Sequence, residues 1–455
     1  MKTLLRFVFS SLCLIIFLVI SPTAFAEKVD ISEDNFPDPV FRNYVLINCD
    51  TDGDSKLSET EISRSRRVSL NNNGVSSLKG IEFLTALTSL SCGSNQLTRL
   101  DVSNNIALTS LSCPNNQLTR LDVSNNTALT SLTCVSNQLT RLDVSNNVAL
   151  TSLSCDMNQL TSLDVSNNKT LTRLNCGNNK LTSLDVSNNT TLSHLQCSFN
   201  QLTSLNVSNN TALTSLECGS NQLTYLTVSN NTALTSLDCY HNQLTELDVS
   251  RNTVLTSLDC YHNQLTELDV SNNTALTSLN CAYNQLTLLD VSLCNHLRYL
   301  VCHSNHLINL DISNCPKLVV LVSNSQPYTD ECGIRYGGSA GVWSSSDTVL
   351  FYGKDTTLIT TTPDLVLPAS LEVISEEAFA GGAFRYVKLS EQTEQIGPFA
   401  FADCPNLKYI WIPNDTVTID DKAFGDIQEL VIFGKAGSTA DDYAYEHYFD
   451  FIPIS

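Results

Sequence analysis

Apolar residues recur along the middle of the chain with a fixed spacing of 21 residues, and each copy contains two short apolar stretches. The first stretch reads L-T-S-L-x-C, as at residues 87–92, and the second reads L-T-x-L-D-V, as at residues 97–102. Strict alternation predicts a short strand that points Leu90 and Cys92 inward and Ser91 outward. Because the period never changes, we expect stacked coils that form a parallel sheet with one strand per coil.

Two asparagines in each copy stand where a coil has to turn. The first follows each cysteine by three residues, at positions 95 to 305, and the second occupies positions 105 to 273. A buried asparagine side chain has two donor hydrogens and one acceptor oxygen, so it can satisfy backbone groups that have no sheet partner. We therefore expect two internal asparagine ladders, the second of which continues as Cys294 and Cys315.

The pattern L-x-x-L-x-L-x-x-N/C-x-L resembles the leucine-rich repeat. The 21-residue form with its nested L-D-V half resembles the bacterial class called IRREKO-type repeats. This resemblance implies a right-handed leucine-rich-repeat solenoid with a parallel β-sheet, mainly β with short helical caps, over residues 68–326. It also implies recognition of proteins on a concave face, and no catalysis.

Eleven cysteines fall on one line, 21 residues apart, from Cys92 to Cys302. Each occupies an inward strand position, where a thiol behaves as a small hydrophobic group. A metal site would need convergent ligands rather than a row of identical neighbours. We interpret the row as core packing; if any pair forms a disulfide, Cys294 and Cys315 on neighbouring coils are best placed.

Three weaker units, with the pattern I-x-x-x-A-F, follow in the C-terminal part. They begin at Ile374, Ile396 and Ile419, and each precedes a strand-like run. This pattern resembles the BspA-like repeats of bacterial surface proteins, which are typically secreted or surface-exposed and often adhesins. The resemblance implies a second short array with a terminal cap over residues 365–455, including a helix near 440–448, after a connector at 327–364.

Residues 27–67 are predicted to form a helical N-terminal cap, with helices near 37–46 and 58–67. Residues 50–61 fit the 12-residue EF-hand calcium loop, although Ser55 stands where glycine normally allows the sharp turn. We predict one structural calcium ion here; the alternative is an acidic turn without metal. The predicted ligands are Asp50, Asp52, Asp54, Lys56 through its backbone carbonyl, and Glu61.

The N-terminal residues 1–26 are typical of a secretory signal peptide. Lys2 and Arg6 precede an apolar stretch at 7–20, and Ala24-Phe25-Ala26 provides a cleavage site. No lipobox surrounds Cys13, and no wall-sorting motif is found near the C-terminus. We therefore expect a secreted, extracellular protein with no evident anchor and no membrane insertion.

Charge and motifs then exclude several functions. The formal net charge of −21 argues against nucleic-acid partners and anionic membrane surfaces. A G-x-S-x-G stretch at 337–341 is followed by loop and strand patterns, whereas a hydrolase nucleophile elbow requires a helix. Since no other catalytic or nucleotide-binding motif is found, we expect a protein that is not an enzyme.

The outward strand positions are nearly all serine in the first four coils and become larger and more polar from the seventh coil. Tyrosine offers contact area and a polar tip at low entropic cost, so this enrichment predicts a binding patch on the concave face. However, residues 235–250 and 256–271 are identical, so duplication alone also explains the paired residues. The predicted patch comprises Glu217, Asp238, Tyr240, His241, Asp259, Tyr261, His262, Tyr283, Tyr299 and His303.

Three functions are compatible with these sequence features. The first is adhesion, or recognition of a host or other protein partner, through the concave face. The second is binding of glycans or mucins, which aromatic and acidic patches also support. A third, less favoured, is a role as the substrate-docking part of a secreted enzyme.

Overall fold

The computed structural model describes residues 28–454 apart from 303, 308, 312–314, 316–319, 323–348, 351–356, 360–363, 368–371, 375 and 382–384. The predicted signal peptide, most of the predicted connector, His303 and the G-x-S-x-G stretch therefore lie outside the described residues.

The regular elements of the described chain are mostly short strands, with few helices. The helices are α1 (Pro39–Asn48), α2 (Glu59–Arg64), a 3-10 turn (Ile81–Phe83) and α3 (Thr439–Glu446). The strands in chain order are β1 (Val29–Asp30), β2 (Lys56–Leu57), β3 (Arg67–Ser69), β4 (Ser89–Ser91), β5 (Ser110–Ser112), β6 (Ser131–Thr133), β7 (Ser152–Ser154), β8 (Arg173–Asn175), β9 (His194–Gln196), β10 (Ser215–Glu217), β11 (Ser236–Asp238), β12 (Ser257–Asp259), β13 (Ser278–Asn280), β14 (Leu289–Asp290), β15 (Tyr299–Val301), β16 (Asn309–Asp311), β17 (Val320–Val322), β18 (Val349–Leu350), β19 (Thr357–Ile359), β20 (Asp364–Val366), β21 (Val373–Ile374), β22 (Tyr386–Lys388), β23 (Gln395–Ile396), β24 (Tyr409–Ile412), β25 (Thr418–Ile419), β26 (Val431–Gly434) and β27 (Asp450–Pro453).

One parallel sheet, called the main sheet below, follows the coils of both repeat arrays. It begins at β3 and contains β4 to β13, β15, β17, β18, β21, β23 and β25. In the first array the strands pair with a 21-residue register, so Leu90 lies opposite Leu111, and Leu111 opposite Leu132. The predicted solenoid with one strand per coil is confirmed.

The second array adds a feature that the sequence pattern did not show. The isoleucines that open its units lie in strands that extend the main sheet, with Ile374 opposite Ile396 and Ile396 opposite Ile419. The strand-like runs that follow them, β22, β24 and β26, join β20 and β27 in a separate five-stranded parallel sheet. Strands β14, β16 and β19 form a small third sheet, and β1 pairs with β2 in antiparallel fashion.

The row of cysteines lies inside the solenoid. Cys113, Cys134 and Cys155 are fully buried, like the leucines of the adjacent strands. Burial raises the pKa of the Cys218 thiol well above its usual range. All fifteen cysteines in the described part of the chain are free thiols, so the packing interpretation is confirmed.

The first asparagine ladder holds each coil to the previous one. Asn116 donates from Nδ2 to the carbonyls of Cys92 at 3.0 Å and Cys113 at 3.2 Å. Its Oδ1 accepts from the backbone N–H of Leu97 at 3.0 Å. Both the donors and the acceptor of the side chain are therefore used, as predicted.

The second ladder uses only the donors. Asn189 donates from Nδ2 to the carbonyls of Val165 at 2.9 Å and Asn168 at 2.8 Å, but its buried Oδ1 has no hydrogen-bond partner. This pattern explains Cys294, whose Sγ lies 3.7 Å from the carbonyl oxygen of Val270 and donates its one hydrogen there. The same unpartnered Oδ1 recurs in Asn105, Asn126, Asn147, Asn168, Asn210, Asn231, Asn252 and Asn273.

Short helices cover both ends of the solenoid. At the N-terminal end, Asp38 caps α1 through the N–H of Phe41 and also accepts from the N–H of Ser76 at 2.8 Å, which ties the cap to the first coil. Helix α2 is shorter than predicted because Arg67 already enters the main sheet as the first residue of β3. At the C-terminal end, α3 buries Ala440 and Tyr443.

Candidate functional site

Each coil of the first array has one residue in the left-handed region of backbone conformation, two positions after the cysteine. A side chain with a Cβ is disfavoured there, and bulky residues are the least expected. The backbone of the neighbouring coil nevertheless holds this geometry, as when His241 N–H donates to the Tyr261 carbonyl at 2.8 Å. The φ angles are Ser94 53°, Asn115 52°, Ser136 52°, Met157 54°, Asn178 49°, Phe199 55°, Ser220 50°, His241 47°, His262 55°, Tyr283 51° and Ser304 51°.

Rings gather at these positions, and directly before them, in the later coils. His241 and His262 stack with ring centroids 4.3 Å apart, and Tyr261 meets Tyr283 edge-on at 5.3 Å. Phe199, which is 48% exposed, meets Tyr240 edge-on at 6.1 Å. We define the aromatic patch as Phe199, Tyr240, His241, Tyr261, His262 and Tyr283.

Tyr240 is fitted to the coil that precedes it. A Cβ on Gly219 would lie 2.5 Å from Cε1 of Tyr240, so the ring covers the space that a side chain at 219 would fill. Burial, with the nearby Asp238 carboxylate, raises the pKa of Tyr240 to about 12. The ring is therefore held in place rather than free in solvent.

Three carboxylates lie beside the aromatic patch on consecutive strands. Glu217, Asp238 and Asp259 face one another in register on β10, β11 and β12, and we call them the acidic column. Burial raises the pKa of each of them, and the neighbouring Asp259 adds to the effect on Asp238. Asp259 accepts hydrogen bonds from Tyr261 N–H at 3.1 Å and from Asn280 Nδ2 at 3.2 Å.

The structure thus brings together eight of the ten predicted patch residues. Tyr299, which is 44% exposed, lies at the opposite end of its strand, in register with Ser278, and His303 is outside the described residues. The sequence reasoning missed Phe199. Its signal was its position two residues after Cys197, in the same column as His241 and His262.

The predicted calcium loop brings three of its carboxylates together. Ligand oxygens of Asp50, Asp52 and Asp54 lie within 4.8 Å of one another, a set of hard oxygen donors that fits calcium. The ammonium of Lys28 lies 3.1 Å from Asp52 and 2.5 Å from Asp54, so a cation already neutralises this group. Gly53 and Ser55 both adopt left-handed conformations in the loop.

The other two predicted ligands have different contacts. Glu61 is buried, and its oxygens accept from Thr51 N–H at 2.6 Å and from Ser58 N–H at 2.8 Å, which closes the capping box of α2. These hydrogen bonds lower the pKa of Glu61 to about 2 against the opposing effect of burial, which is the largest single influence. Lys56, predicted to bind through its backbone carbonyl, lies opposite Asp30 in the β1–β2 pair, and its ammonium pairs with the Asp30 carboxylate at 2.9 Å.

None of the helices in the described part of the chain combines the length and the apolar character needed to cross a bilayer.

Comparison with known proteins agrees with this architecture. The family description "BspA type Leucine rich repeat region" matches residues 357–447 in six copies, slightly earlier than the predicted span of 365–455. A comparison with curated proteins gave no match.

Three bacterial structures are similar to this chain. The functional domain of InlJ from Listeria monocytogenes, described as including a cysteine ladder, is 33% identical, with a TM-score of 0.65 over 85% of this chain and 82% of that one. The internalin InlF from the same species is 25% identical, with a TM-score of 0.60 over 67% and 93%. The leucine-rich-repeat protein LIC12759 of Leptospira interrogans is 26% identical, with a TM-score of 0.56 over 70% and 81%. The chain therefore belongs to the bacterial leucine-rich-repeat proteins of the internalin type.

Proposed function

We propose that this protein is exported and acts as an adhesin or recognition protein, binding a host or other protein partner through the aromatic patch. Leucine-rich-repeat proteins of this type are typically protein-interaction modules. The observation that carries the proposal is the set of six packed rings in the aromatic patch, four of which stand at left-handed positions that Ser, Asn or Met occupies in other coils. Strained residues of this kind are concentrated at functional sites.

The shape of the aromatic patch favours a protein over a glycan. Sugars stack on open ring faces, but His241 and His262 already cover one face of each other, and Tyr240 packs edge-on against both Phe199 and His241. What remains is a ridge of ring edges and polar tips. Such surfaces are typical of protein–protein recognition.

The test compares two double tyrosine variants on arrays of purified extracellular-matrix and cell-surface proteins, with a glycan array in parallel. Y240A/Y261A removes two rings of the patch, and Y225A/Y445A removes two exposed tyrosines elsewhere on the chain as the matched control. We expect the first variant to lose protein capture at least tenfold and the control to stay within twofold. Equal binding by both variants would contradict the proposal, and capture confined to glycans would favour the glycan alternative.

A glycine variant tests the same surface without removing any ring. Gly219→Ala places a methyl group where Tyr240 now packs, so the ring has to move. No left-handed φ is involved at Gly219, so the backbone tolerates alanine. We expect weaker capture with little loss of thermal stability; unchanged capture would mean that the position of Tyr240 does not matter.

We also propose that Asp50, Asp52 and Asp54 bind one calcium ion that orders the N-terminal cap. Support comes from the convergence of three carboxylates, two of which pair with the Lys28 ammonium. Calcium would have to displace Lys28, and Glu61 would have to exchange hydrogen bonds for a metal contact. The role would be structural, and its test is given with the predictions below.

A further inference from the structure

The acidic column groups three carboxyl side chains for which the described part of the fold supplies no cationic partner. Glu217, Asp238 and Asp259 lie on neighbouring strands, which in a parallel sheet are about 4.8 Å apart. Like charges directly opposite each other on adjacent strands are destabilising. Within the described residues, no lysine, arginine or histidine forms an ion pair with any of the three.

The fold does not need these carboxylates either. The same strand position is Ser91 in the first coil, Ser112 in the second and Asn280 in the tenth. Those uncharged residues support the same backbone pairing. Burial also disfavours the charged forms of the column, as the raised pKa values show. The three carboxylates therefore serve no need of the backbone pairing that serine or asparagine would not meet.

A neighbouring side chain adds an unsatisfied acceptor to the same column. Gln196 lies opposite Glu217 on β9, and its buried Oε1 accepts no hydrogen bond. Asp156 Oδ1, two coils earlier on the same face, is likewise buried without a partner. A buried acceptor without a donor costs about 1–3 kcal/mol, so this face of the sheet carries polar groups that the fold alone does not satisfy.

We propose that the partner of the aromatic patch presents lysine or arginine side chains to the acidic column, as an extended basic segment that crosses β9 to β12. This inference rests on the proposed function, because it concerns the same surface. Three inter-strand steps span about 14 Å, which about five extended residues cover. Tyr240 and Tyr261 flank the column, so the alkyl stems of such residues can pack against the tyrosine rings while the phenolic oxygens accept hydrogen bonds from the cationic heads.

A single metal ion suits the acidic column less well. Among the described residues, three carboxylate, histidine or cysteine ligand atoms come within 4.8 Å of one another only at Asp50, Asp52 and Asp54. The acidic column is therefore too spread out for one ion. A row of separate cationic groups matches its length better.

The experiment measures binding of a fluorescent nonapeptide of alternating arginine and glycine by anisotropy, with a glutamate–glycine peptide as the negative probe. The variant E217Q/D238N/D259N removes the charges with little change in shape. The control D122N/D143N/D164N makes the same change in net charge at exposed positions, where asparagine still accepts the N–H two residues on. We expect the first variant to bind at least tenfold more weakly and the control to stay within twofold of wild type.

Equal weakening by both triple variants would reveal non-specific attraction to an acidic protein and would overturn the inference, as would no weakening by either. The same variants on the protein array separate this inference from the proposed function. If Y240A/Y261A loses capture and E217Q/D238N/D259N keeps it, the patch binds a partner that is not basic. If both keep capture, both ideas fail.

Discussion

Replacing Asn179 and Asn189 one at a time by cysteine tests how the two asparagine ladders differ. Asn179 belongs to the first ladder: it donates to the carbonyls of Cys155 and Cys176 and accepts from Leu160 N–H at 2.9 Å. Asn189 belongs to the second ladder and only donates. Cysteine is close to asparagine in size and retains one donor but no comparable acceptor.

The expected magnitudes follow from the groups left without partners. Asn189→Cys loses about one net hydrogen bond, or about 0.5–1.5 kcal/mol, and also removes the unpartnered Oδ1, so this range is an upper bound on its cost. Asn179→Cys loses a comparable donated hydrogen bond and also leaves the buried Leu160 N–H without an acceptor. That unsatisfied donor costs about 1–3 kcal/mol more. The natural thiol at Cys294 occupies a second-ladder position, which agrees with the smaller penalty there.

Urea unfolding under reducing conditions measures both variants, with the slope of the transition compared to confirm that the same surface unfolds. Amide hydrogen exchange gives a local readout, because the Leu160 amide should lose protection in Asn179→Cys and keep it in Asn189→Cys. The two sites lie ten residues apart in the interior of the array, so their coils share the same environment. Equal destabilisation, or a larger effect at Asn189, would refute this account of the ladders.

Three further predictions follow from the buried and charged groups. Because the folded-state pKa values of Asp238 and Asp259 are raised, their favourable contribution is present below their ordinary value of about 4 and is lost as pH rises; D238N/D259N should therefore unfold at a higher temperature than wild type at pH 7, with the difference vanishing near pH 4. A lower melting temperature at pH 7 would contradict this. Buried thiols such as Cys218 should resist iodoacetamide in the native chain and react fully in guanidinium chloride; labelling of the native row would show that it opens to solvent. Chelation by EGTA should lower the melting temperature of the cap and excess calcium restore it, whereas D52N should abolish the response; a wild-type protein indifferent to chelator would rule out the calcium proposal.

The solenoid was predictable because the same 21-residue pattern of buried and turn residues recurs eleven times. One inward Leu-x-Cys pair and two turn asparagines per coil leave few alternative arrangements, so strand register and both ladders follow from spacing alone. The second array is less regular, and the strands around Ile374 and Ile396 were missed because two residues give little alternation to detect.

The candidate sites were harder to predict because they depend on contacts between distant residues. The same glutamate, Glu61, fits position 12 of a calcium loop and the last position of an S-x-x-E capping box, and spacing does not decide between them. Lys28 reaches Asp54 across 26 residues, which no local motif indicates. Phe199 lies in the column of His241 but on the sixth coil, so a patch traced from the seventh coil onward missed it.

The buried thiols have a consequence for the fate of the chain after unfolding. While the coils are stacked, burial raises the pKa of thiols in the row such as Cys239, so they ionise little, and neighbouring cysteines lie beside one another as free thiols. Once a segment opens in an oxidising medium, its cysteines ionise more readily, and many pairings compete without a native disulfide to guide them. In such a medium unfolding is irreversible. The lifetime of the folded protein is then set by the rate at which its coils open, and its stability is described by an unfolding rate rather than by an equilibrium free energy.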